Sequence, residues 1–208
     1  MEVLAHSWQR AWPGLGAAGD GEALRRELLA RHAEPQRHYH TLQHLEECLG
    51  HFEAARALAQ RPHEVEMALW FHDAIYDVRA GDNERRSADW ARQALTAAGV
   101  AADSVDRIDD LIMATRHDAA PADADARLLV DIDLSILGAP RPRFDEYERQ
   151  IRQEYAFVPR WLFRRKRRAI LRGFLERPVL YSTPHFREAL ESRARENLRV
   201  AITATTNR

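Results

Sequence analysis

Hydrophobic residues recur along this chain at helical spacing, and residues that commonly begin or end helices separate the runs. The helix-starting positions are Asp20, Thr41, Pro62, Asn83, Asp103, Pro159 and Thr183 with Pro184. Gly138 ends one run and Pro178 follows another. Alternating β-branched segments with paired turn signals are missing from the sequence. The pattern therefore predicts eight or more helices packed as an all-α bundle.

The run that begins at Pro62 is apolar nearly all round, which predicts a helix through Asp77 at the centre of the protein. One stripe of this helix contains Val65, Ala68, Leu69, His72 and Ile75. Asp73 lies on a neighbouring apolar flank, where an unpaired carboxylate would be costly. A divalent metal is one candidate for the compensating cation. A buried arginine or backbone groups are the other.

Two further predicted helices offer metal ligands from apolar faces. His40 and His44 are four residues apart, and either could face the same interior as His72. Asp133 lies on an apolar face, whereas Asp131 points elsewhere if its helix is regular. Three helices therefore offer ligands in the order His, His-Asp, Asp.

Composition narrows the class of protein. The 31 lysines and arginines nearly cancel the 32 acids, so no field of one sign draws the chain to nucleic acid or to anionic lipid. One cysteine and no secretory start predict a cytoplasmic protein, and no apolar run approaches the ~20 residues of a membrane span. A chain of 208 residues is expected to form one domain. Its core is expected at about 28–140, with a C-terminal helical extension at about 141–208.

His44, then His72 with Asp73, then Asp133 resemble the H…HD…D signature of the HD-domain superfamily of metal-dependent phosphohydrolases. A narrower resemblance, to predicted bacterial HD phosphohydrolases without an established substrate, is carried by the segments RHYHTLQHLEECL, FHDAIYD, DNERRSA, DLIMATRHDA and DIDLSILG. The superfamily signature covers about residues 37–138. The resemblance implies an HD-domain helical bundle with a C-terminal extension.

The resemblance also implies a reaction. A divalent ion held by His44, His72, Asp73 and Asp133 would leave positions for water and a phosphate oxygen, as in hydrolysis of a phosphoester. The implied substrate is a small phosphorylated molecule, with a nucleotide as the leading candidate. These ligands accept Mn, Mg, Fe, Co, Ni or Zn, so the sequence does not select among them.

Other residues of the motifs are candidates for catalysis or substrate binding. Asp77 lies one turn past Asp73 if the helix continues, which suits it to orient the attacking water or to carry a proton. Tyr76 stands where alarmone-hydrolysing relatives have glutamate, which argues against alarmone hydrolysis. The predicted substrate-binding residues are Arg37, His40, Glu84 and His117.

A second His-Asp dipeptide, His117 with Asp118, precedes the polar, turn-like stretch at 119–126, so we expect Asp118 to be solvated and reject this dipeptide as the central pair. His117 has an ordinary alternative as a helix-ending histidine favoured by the helix dipole.

Two other functions stay open. A di-iron oxygenase would need His40 or His117 as an extra metal ligand, and a non-catalytic sensor would bind a nucleotide in the same pocket. The expected partner is a small phosphorylated substrate, with neither a membrane nor nucleic acid. The arginine run at 164–168 is interpreted as a solvated helix face, and a homodimer is left open.

Overall fold

The chain is helical throughout the part that the structure describes. In this computed structural model the described residues are 2–119, 121 and 123–204, and they form ten α-helices, two short 3-10 segments and no β-strand. The predictions of an all-α protein and of eight or more helices are confirmed. Within the same residues, no helix combines the length and the apolar character that crossing a bilayer requires.

Two compact units divide the chain, residues 1–130 and 131–208. The first unit contains α1 (Glu2–Gly14), α2 (Glu22–His32), α3 (Leu42–Ala55), α4 (Pro62–Phe71), α5 (Asn83–Ala97), α6 (Ala102–Ala114) and most of α7 (Ala124–Asp133). The second contains α8 (Arg141–Glu154), α9 (Arg160–Glu176) and α10 (Pro184–Ala204). The division falls within α7, earlier than the expected boundary near residue 140. The expected single domain stays a prediction.

Helix α4 is the centre of the first unit, as its sequence predicted. Every residue from 64 to 71 is buried, and α4 packs against α1, α3, α5 and α6. Its two acids are compensated by long-range arginines. Glu66 accepts two hydrogen bonds from Arg10 (2.5 and 3.1 Å), and Glu64 accepts two from Arg107 (both 2.7 Å). Each buried carboxylate therefore has a guanidinium partner inside the unit.

Several predicted helix starts are found where the sequence placed them. The Thr41 side chain accepts a hydrogen bond from Gln43 N at 3.3 Å, which caps α3. Pro62 is the first residue of α4. The prediction that Asn83 caps α5 is wrong, because Asn83 is itself the first residue of the helix and its side chain binds the backbone of Asp77 instead.

Close packing sets the end of the helical run in the second unit. The 3-10 segment Leu134–Gly138 follows α7, and α10 packs against it. A Cβ on Gly138 would lie 2.6 Å from the Cβ of Leu190, so only glycine permits this approach. Tyr181 Oη donates to Leu134 O (3.0 Å), and Asn197 Nδ2 donates to Leu137 O (2.9 Å). Side chains thereby satisfy carbonyl groups that the short segment leaves without helical partners.

One ion-pair network within the first unit makes a prediction about acid stability. Asp109 on α6 is 7% exposed and binds Arg85 and Arg92 of α5. Burial by itself raises the pKa of Asp109, but the two guanidinium groups outweigh it and hold the pKa below its ordinary value. A lowered folded-state pKa stabilises the fold above the unfolded pKa, and this contribution is lost as the pH falls below about 4.

We therefore expect Asp109→Asn to lower the free energy of unfolding by about 1–2 kcal/mol at pH 7 and by much less near pH 3. Urea unfolding followed by tryptophan fluorescence measures this, since four of the five tryptophans lie in the first unit. Asp89→Asn is the matched control, because the Asp89 side chain also pairs with Arg85 but is 64% exposed. Equal losses in the two variants would contradict the prediction.

Candidate metal centre

The segment from His72 to Asp77 is not helical: the chain turns at His72 and Asp73 and continues without regular structure to Asp77. Helix α4 ends at Phe71, and His72 is its C-cap residue. The prediction of a helix through Asp77 is therefore wrong, and with it the expectation that Asp77 lies one helical turn past Asp73. Asp73 instead immediately follows the capping histidine, at the point where the chain leaves the helix.

Arg37 holds this turn in place. It is 4% exposed, and its Nη1 donates to Asp73 O at 2.5 Å while its Nη2 donates to Ala74 O at 2.9 Å. The Nε group donates to Glu34 Oε2 at 3.1 Å, which compensates the buried charge. The predicted role of Arg37 in substrate binding stays a prediction, but most of its donors are engaged by the protein itself.

The DNERRSA motif supports the same turn from α5. Ser87 Oγ accepts a hydrogen bond from Ile75 N at 3.0 Å. Asn83 binds both backbone groups of Asp77, accepting from its N–H at 3.0 Å and donating to its carbonyl at 2.9 Å. Side chains far along the sequence thus replace the backbone bonds that a continued helix would have made.

Three predicted ligands of the first unit come together at this turn. The Nε2 atoms of His44 and His72 are 3.2 Å apart. Asp73 Oδ2 lies 3.1 Å from His72 Nε2 and 3.4 Å from His44 Nε2. Both histidines are buried, and the Asp73 side chain is 17% exposed. The sequence prediction that these three residues converge agrees with this geometry.

The tautomer of His72 follows from its second nitrogen. Nδ1 of His72 is 2.8 Å from Leu69 O, and a carbonyl oxygen can only accept. Nδ1 therefore carries a proton, and Nε2 is the nitrogen that faces His44 and Asp73. A backbone carbonyl that fixes the ring in this way is the usual support of a metal-binding histidine.

The spacing of these atoms fits the ligands of one cation. Two ligands at zinc bond lengths and tetrahedral angles are about 3.3 Å apart, close to the separations of 3.1 to 3.4 Å here. Burial by itself raises the pKa of the Asp73 carboxyl, but the rings of His72, His40 and His44 outweigh it and hold that pKa well below its ordinary value. The carboxylate is therefore ionised, as a ligand must be.

His44, rather than His40, is the better candidate for the first ligand. The His40 ring stacks on Tyr76, with ring centroids 3.9 Å apart and planes at 26°. Its centroid is 6.0 Å from that of His44. His40 thus lies beside the three donors, where it can contact a substrate.

Asp133 belongs to the second unit, which begins at residue 131, and its place as the fourth ligand stays a prediction.

Asp131, the alternative to Asp133, has another role within the second unit. The Asp131 carboxylate accepts hydrogen bonds from Ser182 N (2.8 Å), Thr183 N (2.7 Å) and Thr183 Oγ1 (2.6 Å), at the start of α10. Burial raises the pKa of Asp131, and these bonds oppose the shift. The expectation that Asp131 points elsewhere than a metal site agrees with this capping role.

The remaining predicted residues lie on three other segments of the first unit. Asp77 is exposed, and its Oδ1 accepts from Arg79 N at 2.9 Å. Glu84 lies in the first turn of α5. His117 follows α6 with a φ of 58°, a left-handed conformation that is uncommon for residues other than glycine. Their roles in catalysis or substrate binding stay predictions.

The second His-Asp dipeptide differs from the first in exposure. The Asp118 side chain is 60% exposed and pairs with Arg116 at 3.2 Å. Asp118 is therefore solvated, as expected. Residues 120 and 122 of the predicted turn-like stretch lie outside the described residues.

A pocket of about 250 Å³ opens beside the turn. Its lining includes residues 74–78, which directly follow Asp73 in the sequence, and Arg31, Arg37 and Arg86. Glu34 also lines the pocket and pairs with Arg31 at 3.3 Å and with Arg37 at 3.1 Å. The lining thus has more arginines than acids beside the residues that follow the His-Asp pair.

Two buried side chains near the donors were not predicted to act there. Cys48 lies one turn after His44 on α3, and His44, Cys48 and His72 together could hold a metal ion. The spacing of four residues between histidine and cysteine was the signal in the sequence.

The second of these side chains, His32, is fully buried. Burial is the main cause that lowers the pKa of His32 to about 3, and the charge of Arg37 is the next. Its ring is thus neutral at pH 7.

Comparison of the chain with protein-family models, with curated proteins and with solved structures finds no match. The resemblance to the HD-domain superfamily therefore depends on the residues described above and stays a prediction.

Proposed function

We propose that this chain is a metal-dependent phosphohydrolase that cleaves the phosphoester of a small phosphorylated molecule. The observation that carries the proposal is the triangle of His44 Nε2, His72 Nε2 and Asp73 Oδ2, with sides of 3.1 to 3.4 Å. Two imidazole nitrogens and an ionised carboxylate that converge in a mostly buried place require a positive charge between them. Either a divalent cation or a proton on His44 can supply that charge. A chelator removes the cation and leaves the proton, so it distinguishes the two.

Each residue has a distinct part in this proposal. His44, His72 and Asp73 hold the ion, with Asp133 as the proposed fourth ligand. When bound, such an ion lowers the pKa of water and offsets charge that builds up on phosphorus. Arg37 positions Asp73 through the backbone carbonyl of that residue.

The adjoining pocket supports the substrate class. Arg31 and Arg86 are suited to bind phosphate oxygens, and the volume of about 250 Å³ fits a phosphate with a small organic group. Asp77 also lines this pocket, and its proposed role is to accept a proton from the attacking water. His40 and Tyr76 present stacked rings beside the donors.

The proposal is tested by metal analysis of the purified chain and by phosphate release from a panel of nucleotides and sugar phosphates. Manganese, magnesium, cobalt and zinc are supplied in turn, and we expect release with at least one of them, loss of release after treatment with a chelator, and recovery when that metal is returned. His44→Ala should lose bound metal and at least about 90% of the activity. His38→Ala is the matched control, since His38 is an exposed histidine just before the same helix.

Two outcomes would contradict the proposal. One is phosphate release that survives complete removal of metal, which would mean that a proton occupies the triangle. The other is a metal-loaded chain that retains a bound nucleotide and releases no phosphate from any member of the panel, which would favour a sensor.

A further inference from the structure

We propose that the Cys48 thiolate is a further ligand of this metal centre, and that the centre therefore selects a thiophilic cation such as Zn²⁺ over Mg²⁺ or Mn²⁺. The inference rests on the metal centre of the proposed function and concerns its ligand set. It assigns a role to a residue that neither the HD signature nor the three-atom triangle includes.

The geometry places the sulfur among the nitrogen donors. Cys48 Sγ lies 3.7 Å from Nε2 of His44, and one donor atom each of His44, Cys48 and His72 falls within 4.8 Å of the others. For a nitrogen and a sulfur bound to one tetrahedral zinc ion, the bond lengths predict a separation of about 3.6 Å. The observed 3.7 Å is close to that separation, but Sγ lies equally near the other ring nitrogen, Nδ1 of His44, so the thiol must rotate toward Nε2 to bind the same ion.

The helix that carries both residues explains the fit. His44 and Cys48 are four residues apart on α3, so their side chains project from one face, one above the other. Cys48 is 1% exposed and lies among the buried apolar side chains of the core. Its thiol is therefore held beside the histidine and shielded from solvent.

The donor type decides which cation the centre prefers. Magnesium and manganese favour oxygen ligands, and zinc, cobalt and iron accept imidazole together with thiolate. A site that combines two imidazoles with one thiolate suits the second group. On binding, the sulfur–hydrogen bond of Cys48 breaks, its proton passes to solvent, and the sulfur electron pair forms the bond to the metal.

The ligand is tested by titrating the chelator-treated full-length chain with Co²⁺ and recording its absorption spectrum. A thiolate bound to Co²⁺ gives a charge-transfer band in the near ultraviolet, whereas imidazole and carboxylate ligands give only the weaker visible bands. We expect the wild-type chain to show both. Cys48→Ser and Cys48→Ala should lose the near-ultraviolet band and bind Zn²⁺ at least about tenfold more weakly. Loss of a residue that only supports a metal ligand already costs about tenfold or more in metal affinity, so loss of a ligand should cost at least as much.

Leu49→Val is the matched control, because Leu49 is the neighbouring buried residue on α3 and offers no donor atom. It should keep the charge-transfer band. Circular dichroism checks that each variant is folded, and the wild-type spectrum decides the question even if a variant fails to fold. Visible bands without the near-ultraviolet band in the wild-type chain would overturn the proposal, as would the absence of any Co²⁺ binding.

Phosphate release by the wild-type chain is a separate measurement, so the two proposals can fail independently. A thiolate band in a chain that releases no phosphate would contradict the hydrolase and leave the Cys48 ligand in place. Metal-dependent phosphate release by a chain without the near-ultraviolet band would support the hydrolase and contradict the Cys48 ligand.

Discussion

Asp73→Asn should abolish metal-dependent phosphate release, with a loss of at least about a hundredfold. Loss of a residue that only supports a metal ligand costs about 10–100-fold, and Asp73 is itself the anionic donor of the triangle, 3.1 Å from His72 Nε2. Asparagine keeps the size of the side chain and removes its charge. The pKa of Asp73 lies well below its ordinary value, so the wild-type group is ionised at any pH near neutrality.

The chain contains its own control for this experiment. Asp118 follows the other His-Asp pair but is 60% exposed and paired with Arg116. Asp118→Asn should change phosphate release by no more than about twofold, the usual limit for a surface substitution. Metal content measured on the same samples should fall only for Asp73→Asn. Equal activity in the two variants would refute the assignment of His72 and Asp73 as the central pair.

Arg37→Lys should lower the free energy of unfolding by about 2–4 kcal/mol, although the charge is retained. The guanidinium spans the carbonyl groups of Asp73 and Ala74 from a buried position, and an ammonium group cannot reach both in the same geometry. At least one buried carbonyl would lose its partner. Because the same bonds hold the turn that carries Asp73, metal affinity should also fall by about 10–100-fold.

Urea unfolding and metal titration measure the two effects. Arg26→Lys is the control, since Arg26 is exposed and its Nε makes only a long 3.4 Å contact with Glu22 O. It should change the free energy of unfolding by less than about 0.5 kcal/mol. If Arg37 served only to bind the substrate phosphate, Arg37→Lys would raise KM and leave both stability and metal affinity unchanged. That result would contradict the positioning role.

Local features of the sequence predicted the helices well where the helix ends depend on nearby residues. Thr41 caps α3 through an atom two residues away, and Pro62 begins α4 because proline lacks the N–H that a first helical turn leaves unpaired. The apolar periodicity placed His72 toward the interior correctly, since burial on α4 follows from the side chains of α4 itself.

The end of α4 was predicted wrongly for a physical reason. The sequence after Phe71 contains no helix breaker, so local preference favours a longer helix. The chain leaves the helix at His72 because Arg37, Ser87 and Asn83 satisfy the backbone groups that it exposes there. These partners are 6 to 37 residues away from the groups they bind, and no local pattern indicates them.

The sequence by itself determined that the protein is all-α, that α4 is buried, and that His44, His72 and Asp73 are donors of the kind that bind a divalent ion. Only the tertiary structure decided how they meet: it ended α4 one residue before His72, brought two imidazole nitrogens within 3.2 Å of each other, and set the Cys48 sulfur beside them. Residue types and periodicity fix which side chains turn inward. Distances between helices depend on long-range hydrogen bonds and close packing, which a linear pattern does not encode.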